Sequence, residues 1–325
     1  MGWVRGETLG KGGFGFVSMA NTNQEDNLPP LITVKSAKFS ESESLRKEKM
    51  VLDKFQSCPF IHCFGDSITT ENGEKLYNIL LEYASGGCLA NLIIIKAALP
   101  EITVSRCTKS ILSALLHIHK AGYVHCDMKP HNVLLVGQDA KLADFGSCCK
   151  SFNNNSNCDD FKGTVIYAAP ESIAQQKYGP ESDVWALGSS VLHMLTGKPP
   201  WAFDSKAQPK DVLFKIGCSD QNPHIPTNNR ISKEAKDFLA KCLVKDPTAR
   251  WKVDMLLDHP FSTRPIHQQL LENTIIIIII TIDCVMAFTL WCLTVFTTQK
   301  CSLLIYSSGY SMYICFMTNL SCEYY

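Results

Sequence analysis

Three polar side chains at fixed spacing could carry out chemistry on a phosphate group. Asp127 is followed after five positions by Asn132, and Asp144 comes twelve positions later, at the start of an Asp-Phe-Gly tripeptide. An amide oxygen and a carboxylate suit magnesium, and a second carboxylate can orient and deprotonate a hydroxyl group. Phosphoryl transfer requires mainly such positioning and the neutralisation of charge. Because Asp-x-x-x-x-Asn alone is not specific, the prediction depends on a phosphate-binding half elsewhere in the chain.

A glycine-rich segment near the N-terminus supplies that half. The segment Gly10–Val17, which includes Gly12, Gly13 and Gly15, follows the pattern Gly-x-Gly-x-x-Gly-x-Val. Glycines let backbone N–H groups approach phosphates, since no Cβ intervenes. Twenty residues after Gly15, a β-branched run typical of a strand ends at Lys35, a candidate cation for the phosphates. Alone, each piece is usually a turn or solvated surface, but their order favours a functional site.

A lysine that binds phosphates needs a carboxylate to hold it, and Glu48 is the candidate. The segment from Ser40 to Gln56 is predicted to be a helix, opened by Ser40 with Glu43 three residues later in a capping-box pattern. Glu48 shares a helical face with three apolar residues, Leu45, Leu52 and Phe55. The alternative is that Glu48 is one of several solvated charges, beside Arg46, Lys47 and Lys49.

Composition and charge limit the class of protein. The chain has 325 residues, 46% of them hydrophobic, enough for one large domain or two ordinary domains with a sizeable core. Basic and acidic residues number 31 each, so nothing indicates a nucleic-acid partner. We expect neither a signal peptide nor N-myristoylation at the start. The 15 cysteines show no metal-ligand spacing and are interpreted as reduced, mostly buried thiols, although Cys148, Cys149 and Cys158 could be oxidisable.

The order of elements predicts a two-lobed α+β fold with a nucleotide in the cleft between the lobes. Strand-like and helical stretches alternate up to a linker at Glu82–Gly87, and helical patterns dominate afterwards, beginning with Leu89–Ala121. Short strands flank the loop that contains Asp127. The predicted divisions are a domain at 1–262, with a small strand-rich lobe at 1–82 and a larger helical lobe at 83–262, and a tail at 263–325.

Residues 3–261, about four-fifths of the chain, resemble a eukaryotic serine/threonine protein kinase domain, and especially the plant MAP kinase kinase kinase (MEKK-like) group. Besides the motifs above, the segments that carry the resemblance are Trp3-Val4-Arg5-Gly6, Leu80–Gly87, His125-Cys126-Asp127, Glu181–Gly188, Thr196–Trp201 and the closing run from Lys241 to Phe261. The resemblance implies a bilobal protein kinase fold, ATP and Mg²⁺ as cofactors, and a MAP kinase kinase as protein substrate.

The resemblance also implies roles for individual residues. Asp127 would accept the proton of the substrate hydroxyl, Lys129 would contact the γ-phosphate, and Asn132 and Asp144 would bind Mg²⁺. Leu81 would line the back of the adenine pocket, and the backbones of Glu82 and Ala84 would bond adenine. The complete nucleotide-binding set that it implies is Leu9, Gly10, Gly12, Gly13, Gly15, Val17, Thr33, Lys35, Glu48, Leu81, Glu82 and Ala84.

Further residues are implied to support the site. Thr164 would lie beside Lys129 in the substrate-binding segment, and Asp183 would brace the backbone of the catalytic loop. Glu171 would pair with Arg250 in a buried structural ion pair.

Three positions depart from the usual kinase pattern. Thr33 replaces an alanine near the adenine ring, where we expect reduced nucleotide affinity at most. Cys126 replaces the arginine that pairs with a phosphorylated activation segment in other kinases, and a thiol cannot make that pair. We therefore expect weak control by phosphorylation at any of four positions, Ser147, Ser151, Ser156 and Thr164. His131 stands where an acidic residue often binds basic substrates, so no preference for such substrates is inferred.

The last sixty residues do not follow the kinase pattern. Thr274–Thr298 contains six consecutive isoleucines and one charge, Asp283, and is long enough to span a bilayer. Asp283 would cost roughly 2.5 to 3.5 kcal/mol at a helix centre, whereas each isoleucine returns only about 0.3 to 0.6 kcal/mol. Three interpretations remain open for the tail: a membrane anchor, a segment packed on the kinase or a partner, and translation of sequence not selected to be protein.

These observations favour an ATP-dependent serine/threonine kinase that phosphorylates a MAP kinase kinase. The alternatives are a non-catalytic kinase-fold scaffold in the same cascade and a membrane-tethered kinase. The expected location is the cytoplasm, with the nucleus as an addition, or a membrane if the tail is an anchor.

Overall fold

The computed structural model describes residues 2–12, 15–23, 28–55, 59–151, 161–203, 207–227, 230–263, 302–308 and 311–317. The chain divides into two compact units, Met1–Arg264 and Pro265–Tyr325. The domain boundaries predicted from the sequence, 1–262 and 263–325, remain a prediction.

The first part of the larger unit is built around an antiparallel sheet. In chain order its elements are β1 (Trp3–Gly12), β2 (Gly15–Thr22), β3 (Leu31–Lys38), α1 (Glu43–Leu52), β4 (Cys63–Glu71) and β5 (Glu74–Glu82). Within the described residues the sheet has five strands in the order β1-β2-β3-β5-β4. The hairpin of β1 and β2 therefore forms one edge, and β3 lies at the centre beside the C-terminal strand β5.

Alternation along β3 determines which face of the sheet each of its side chains occupies. Ile32 and Val34 are fully buried in the small core under the sheet. Because side chains alternate along a strand, Thr33 and Lys35 point to the opposite face. The register pairs Lys35 with Val17 of β2, so the lysine lies next to the strand that leaves the glycine-rich turn.

The second part of the larger unit is mainly helical. Its elements are α2 (Leu89–Lys96), α3 (Glu101–Lys120), β6 (Tyr123–Val124), β7 (Val133–Val136), β8 (Asp139–Leu142), β9 (Cys149–Lys150), α4 (Pro170–Gln175), α5 (Pro180–Thr196), α6 (Pro209–Gly217), α7 (Lys233–Cys242), α8 (Val253–Leu257) and α9 (Pro260–Thr263). β6 pairs with β9 and β7 pairs with β8, both antiparallel. This architecture confirms the predicted α+β fold with a small strand-rich lobe and a larger helical lobe.

Helix α5 forms the centre of the helical lobe. Its residues are buried without interruption from Ser182 to Leu192, and Trp185 is fully buried. A helix that is buried on every side is surrounded by protein. Helices α3 and α7 pack against it. The N-terminus of α5 is therefore a fixed point to which nearby loops can be attached.

The start of helix α1 differs from the prediction. The helix begins at Glu43 after a short 3-10 turn at Phe39–Glu41, so the capping box proposed for Ser40 and Glu43 is wrong. The physical reason is that Ser42, the residue before the helix, uses its hydroxyl locally. Its Oγ donates to the Phe39 carbonyl at 2.8 Å and accepts from Nε of Arg46 at 3.0 Å.

A buried ion pair ties α4 to the closing segment of the helical lobe. Nη1 of Arg250 lies 2.8 Å from Oε1 of Glu171, and both residues are buried. Arg250 also donates to the carbonyls of Val244 and Glu181. The guanidinium is thus satisfied on several sides, which a buried charge requires.

The smaller unit contains one described hairpin. Strands β10 (Ser302–Ser308) and β11 (Ser311–Met317) pair antiparallel, with Ser302 opposite Met317 and Ser308 opposite Ser311. None of the helices in the described part of the chain is long and apolar enough to cross a membrane. The candidate span Thr274–Thr298 lies outside the described residues.

We predict that Arg250→Ala lowers the free energy of unfolding by about 3 to 5 kcal/mol, because the substitution leaves the buried Glu171 carboxylate unpaired. Urea unfolding followed by circular dichroism measures this change. The matched control is Lys252→Ala, an exposed position two residues away, which should stay within about 0.5 kcal/mol of the wild type. Equal stabilities of the two variants would contradict a structural role for the pair.

Candidate active site

The loop between β6 and β7 is held by a buried carboxylate. Oδ2 of Asp183, near the start of α5, accepts from the backbone N–H of His125 at 2.8 Å. Its Oδ1 accepts from the N–H of Cys126 at 3.0 Å, and His119 contacts Oδ2 at 2.8 Å. Cys126 has a left-handed backbone conformation with φ of 69°. The predicted brace by Asp183 is therefore present, and it fixes the residue that precedes Asp127.

The carboxylate of Asp127 is held between the cation of Lys129 and the hydroxyl of Thr164. Nζ of Lys129 lies 2.7 Å from Oδ2, and the Thr164 hydroxyl donates to Oδ1 at 2.8 Å. Lys129 also donates to that hydroxyl at 2.8 Å. With both oxygens oriented by donors, Asp127 is placed to accept a proton from an incoming hydroxyl group.

Asn132 has an orientation that fits metal binding. Its Nδ2 donates to the backbone carbonyl of Asp127 at 2.8 Å and lies 3.2 Å from Oδ2 of the same residue. Because the amide nitrogen points toward Asp127, the amide oxygen points away from Asp127 and is available to a metal ion. The residue is buried, so its orientation is fixed by the surrounding protein.

Lys35 joins three elements at the cleft. Its Nζ lies 2.6 Å from Oε2 of Glu48 on α1 and 2.9 Å from Oδ1 of Asp144. Glu48 is only 2% exposed, so the interpretation of Glu48 as a solvated charge is not supported. Burial alone would lower the pKa of Lys35, but the charges of Glu48 and Asp144 outweigh it and raise the pKa above its ordinary value. Lys35 therefore remains a cation at neutral pH.

Asp144 is presented to the cleft by its neighbour Phe145. Phe145 is buried, and its ring lies 5.0 Å from that of His125 and 6.0 Å from that of Phe60. Asp144 has a φ of 61°, and its side chain remains 44% exposed. Burial raises the pKa of Asp144, but the charge and hydrogen bond of Lys35 outweigh burial and lower the pKa below its ordinary value. The group is thus a carboxylate at neutral pH.

Asn132 and Asp144 together fit a magnesium ion. A carboxylate oxygen and an amide oxygen are hard ligands of the kind that Mg²⁺ prefers, and Mg²⁺ usually keeps water and phosphate oxygens as its other ligands. In the described part of the chain there is no group of three or more His, Cys, Asp or Glu side chains suited to a metal. Asn132 and Asp144 would thus supply two ligands, and water or phosphate oxygens would supply the others.

The described part of the glycine-rich segment leaves room for a phosphate-bearing ligand at Gly10 and Gly12. A Cβ on Gly10 or Gly12 would meet nothing within 4 Å, so packing does not explain glycine at either position. Gly15 is different, because its φ is +141° and a Cβ would lie 1.9 Å from the Ser36 carbonyl oxygen. Leu9 is half exposed and Val17 partly buried. Gly13 lies outside the described residues.

The predicted adenine-binding positions lie at the junction of the lobes. Thr33 is paired with Leu81 across β3 and β5, and Leu81 is buried. The backbone N–H of Glu82 donates to the His62 carbonyl at 2.9 Å, so it is not free to donate to adenine. The hydrogen bond still predicted between Glu82 and adenine is one accepted by the backbone carbonyl of Glu82. Ala84 follows the end of β5.

Two contacts in the site could not be found from the sequence. The contact of His119 with Asp183 joins residues 64 positions apart, and the Lys35–Asp144 pair joins residues 109 positions apart. No local pattern connects such residues. Thr164 contacts Lys129 and Asp183 contacts the catalytic loop, as the resemblance implied. Ser156, one of the four predicted phosphorylation positions, lies outside the described residues.

Comparisons with known proteins agree with this geometry. The family model described as Protein kinase domain matches residues 3–262. Mitogen-activated protein kinase kinase kinase 20 of Arabidopsis thaliana is 42% identical over 284 residues, which cover 85% of this chain and 82% of that protein. Mitogen-activated protein kinase kinase kinases 17 and 18 of the same plant are each 38% identical, over 81% and 80% of this chain and 70% and 77% of their own lengths.

We predict that Glu48→Gln lowers kcat/KM for transfer of phosphate from ATP by roughly 10- to 100-fold, because it weakens a charge-assisted hydrogen bond to Lys35. Initial rates at varied ATP concentration measure the change. Glu43→Gln is the matched control, since Glu43 lies on the same helix but is exposed and pairs with Lys47 at 2.7 Å. It should leave the rate unchanged, and equal losses in both variants would contradict the assignment.

Proposed function

The chain belongs to the protein kinase domain family and is a serine/threonine kinase of the MAP kinase kinase kinase type, and from this membership we propose that it transfers the γ-phosphate of ATP to a serine or threonine in the activation segment of a MAP kinase kinase. Membership confirms the resemblance inferred from the sequence. The observation that carries the proposal is the ion pair of Lys35 with Glu48, which must be in place in an active kinase site. Asp144 lies beside the same lysine, where it would hold Mg²⁺.

The proposed substrate rests on the relatives. Three of them, at 38% to 42% identity over at least 80% of this chain, have the name mitogen-activated protein kinase kinase kinase. That name describes a kinase that acts on a MAP kinase kinase. The serine/threonine preference is supported further by Lys129, which contacts both Asp127 and Thr164.

Residues of both lobes contribute to the proposed phosphoryl transfer. The glycine-rich turn and Lys35 hold the triphosphate, and Asn132 and Asp144 would hold magnesium, which neutralises charge on the phosphates when bound. Lys129 stabilises the charge that develops on the transferred group. Asp127 orients the substrate hydroxyl and accepts its proton as the new oxygen–phosphorus bond forms.

The location stays a prediction. The proposed location is the cytoplasm, with the nucleus in addition. The alternative is a membrane, to which Thr274–Thr298 would anchor the chain. Fractionation without detergent distinguishes them, because recovery of all full-length protein in the soluble fraction would exclude an anchor.

We predict that the purified full chain transfers radiolabelled phosphate from magnesium-ATP to a catalytically inactive MAP kinase kinase, and that Asp127→Asn reduces the rate by at least roughly 100-fold. Loss of a general base typically costs a factor of this size. Phosphopeptide mapping should place the label on an activation-segment serine or threonine.

The matched control is Asp139→Asn, a substitution of an exposed aspartate at the start of β8. It should retain the wild-type rate. Labelling of a generic protein but not of the MAP kinase kinase would contradict the proposed substrate. Bound ATP without transfer to either protein would contradict the proposed activity.

We further predict that Ser147→Asp and Ser151→Asp each change the rate by less than about tenfold, because the thiol of Cys126 cannot pair with an anion in the activation segment as an arginine does. The same transfer assay measures the effect. Thr164 is unsuitable for this test, since its hydroxyl already binds Asp127 and Lys129. A tenfold or larger activation by either aspartate would show that another cation has taken over the role of the arginine.

A further inference from the structure

Two cysteines from different segments face each other beside the catalytic aspartate. Sγ of Cys126, in the residue before Asp127, lies 3.3 Å from Sγ of Cys149, which is 23 positions later in the chain. Neither is in a disulfide. The contact therefore joins the catalytic loop to the segment that follows the Asp-Phe-Gly tripeptide.

Backbone geometry on both sides maintains this contact. Strands β6 and β9 pair antiparallel, with Val124 opposite Cys149. The positive φ of Cys126 and the bonds of its N–H to Asp183 fix the turn that directs its side chain toward β9. The approach of the two sulfurs thus follows from a strand pair and a braced loop.

A small reagent can reach the pair. Cys149 is partly exposed and lines a cavity of about 800 Å³ that extends to Ser151, Tyr178 and Cys218. By contrast, Cys107 and Cys242 are buried in the core.

The two thiols also differ in acidity. The hydrogen bond between them lowers the pKa of Cys149 below its ordinary value, and nearby Lys162 lowers it further against the effect of burial. The same hydrogen bond, together with burial, raises the pKa of Cys126. Burial also raises the pKa of Cys148. Since the thiolate is the nucleophile, Cys149 is the member of the pair that reacts first.

We propose that Cys126 and Cys149 form a dithiol switch, in which oxidation by a peroxide closes a disulfide between the catalytic loop and the activation segment and suppresses phosphoryl transfer. This regulation rests on the proposed function, because it acts on the same site.

The chemistry needs hydrogen peroxide as the oxidant and proceeds in two steps. The Cys149 thiolate attacks one peroxide oxygen, the O–O bond breaks, and the departing hydroxide takes up a proton to become water, which leaves Cys149 as a sulfenic acid. The Cys126 sulfur then loses its proton and attacks the Cys149 sulfur, so that the S–S bond forms, the S–O bond breaks and a second water leaves. Two thiols are oxidised and one peroxide is reduced to two waters. A dithiol reductant reverses the change.

Closure of the disulfide would disturb the catalytic loop. The sulfurs must approach from 3.3 Å to about 2.05 Å, and this closure of roughly 1 Å is shared between Cys149 and Cys126, the residue bonded directly to Asp127. A displacement of that size at a reacting group can reduce a rate by about 100-fold. Asp127 is held at its position by Lys129 and Thr164, whose contacts the movement would strain.

The test treats the reduced full chain with hydrogen peroxide, blocks remaining thiols with N-ethylmaleimide, and measures phosphate transfer and disulfide-linked peptides on the same sample. We expect a Cys126–Cys149 linked peptide, a fall in rate of roughly tenfold or more, and recovery of the rate with dithiothreitol. Cys149→Ser should form no such link and keep its rate in peroxide. Cys148→Ser is the matched control, and it should remain as sensitive as the wild type. Cys149→Ala replaces Cys149→Ser if that variant does not fold.

The outcomes separate the switch from the function. Absence of the linked peptide in the wild type would overturn the proposal, and so would a linked protein with an unchanged rate. Equal inactivation of Cys149→Ser and the wild type would also overturn it. A reduced wild-type protein that transfers no phosphate contradicts the proposed function, whereas full transfer that peroxide does not lower contradicts the switch alone.

Discussion

The site depends above all on one partly buried cation, Lys35. Its ammonium group is shared by a carboxylate from α1 and another from the segment after β8, so a single side chain joins three parts of the chain. Burying charges is costly unless each has partners at short distance. If α1 moved outward, Glu48 would move with it, and Lys35 would lose one of its two carboxylate partners. The position of α1 and the direction of Asp144 are therefore coupled to the strand register that places Lys35 on the cleft side of β3.

A second constraint acts on the catalytic loop. The loop has no regular ladder to satisfy its backbone N–H groups, and buried N–H groups need partners. The carboxylate of Asp183, in the first turn of the buried helix α5, accepts the hydrogen bonds of two of these N–H groups. The position of Asp127 is thus determined by the core of the helical lobe, whereas the position of Lys35 is determined by the sheet. Asp144 belongs to the helical-lobe side and contacts Lys35, so it brings the two halves into one site.

The sequence predicted the components of the site better than their mutual contacts. Motif spacing identified Lys35 and Asp127, and the resemblance identified Asp183. Glu48 was identified because helical periodicity determines which face a residue occupies. Periodicity does not determine which residue lies opposite. The Lys35–Asp144 and Cys126–Cys149 contacts depend on packing between distant segments, and neither could be predicted. The start of α1 was missed for a local reason, since the hydroxyl of Ser42 bonds to the preceding turn instead of capping the helix.

Cys126 shows how one substitution changes the kind of coupling at a fixed position. Its backbone is braced in the same way whatever the side chain, because the bond to Asp183 uses the N–H. An arginine there would present a long cation able to bind an anion at several places. A thiol is short and can act only on what lies next to it, which here is Cys149, placed by the pairing of β6 with β9. The catalytic loop therefore remains connected to the activation segment, but through a contact that responds to the oxidation state of sulfur instead of to negative charge.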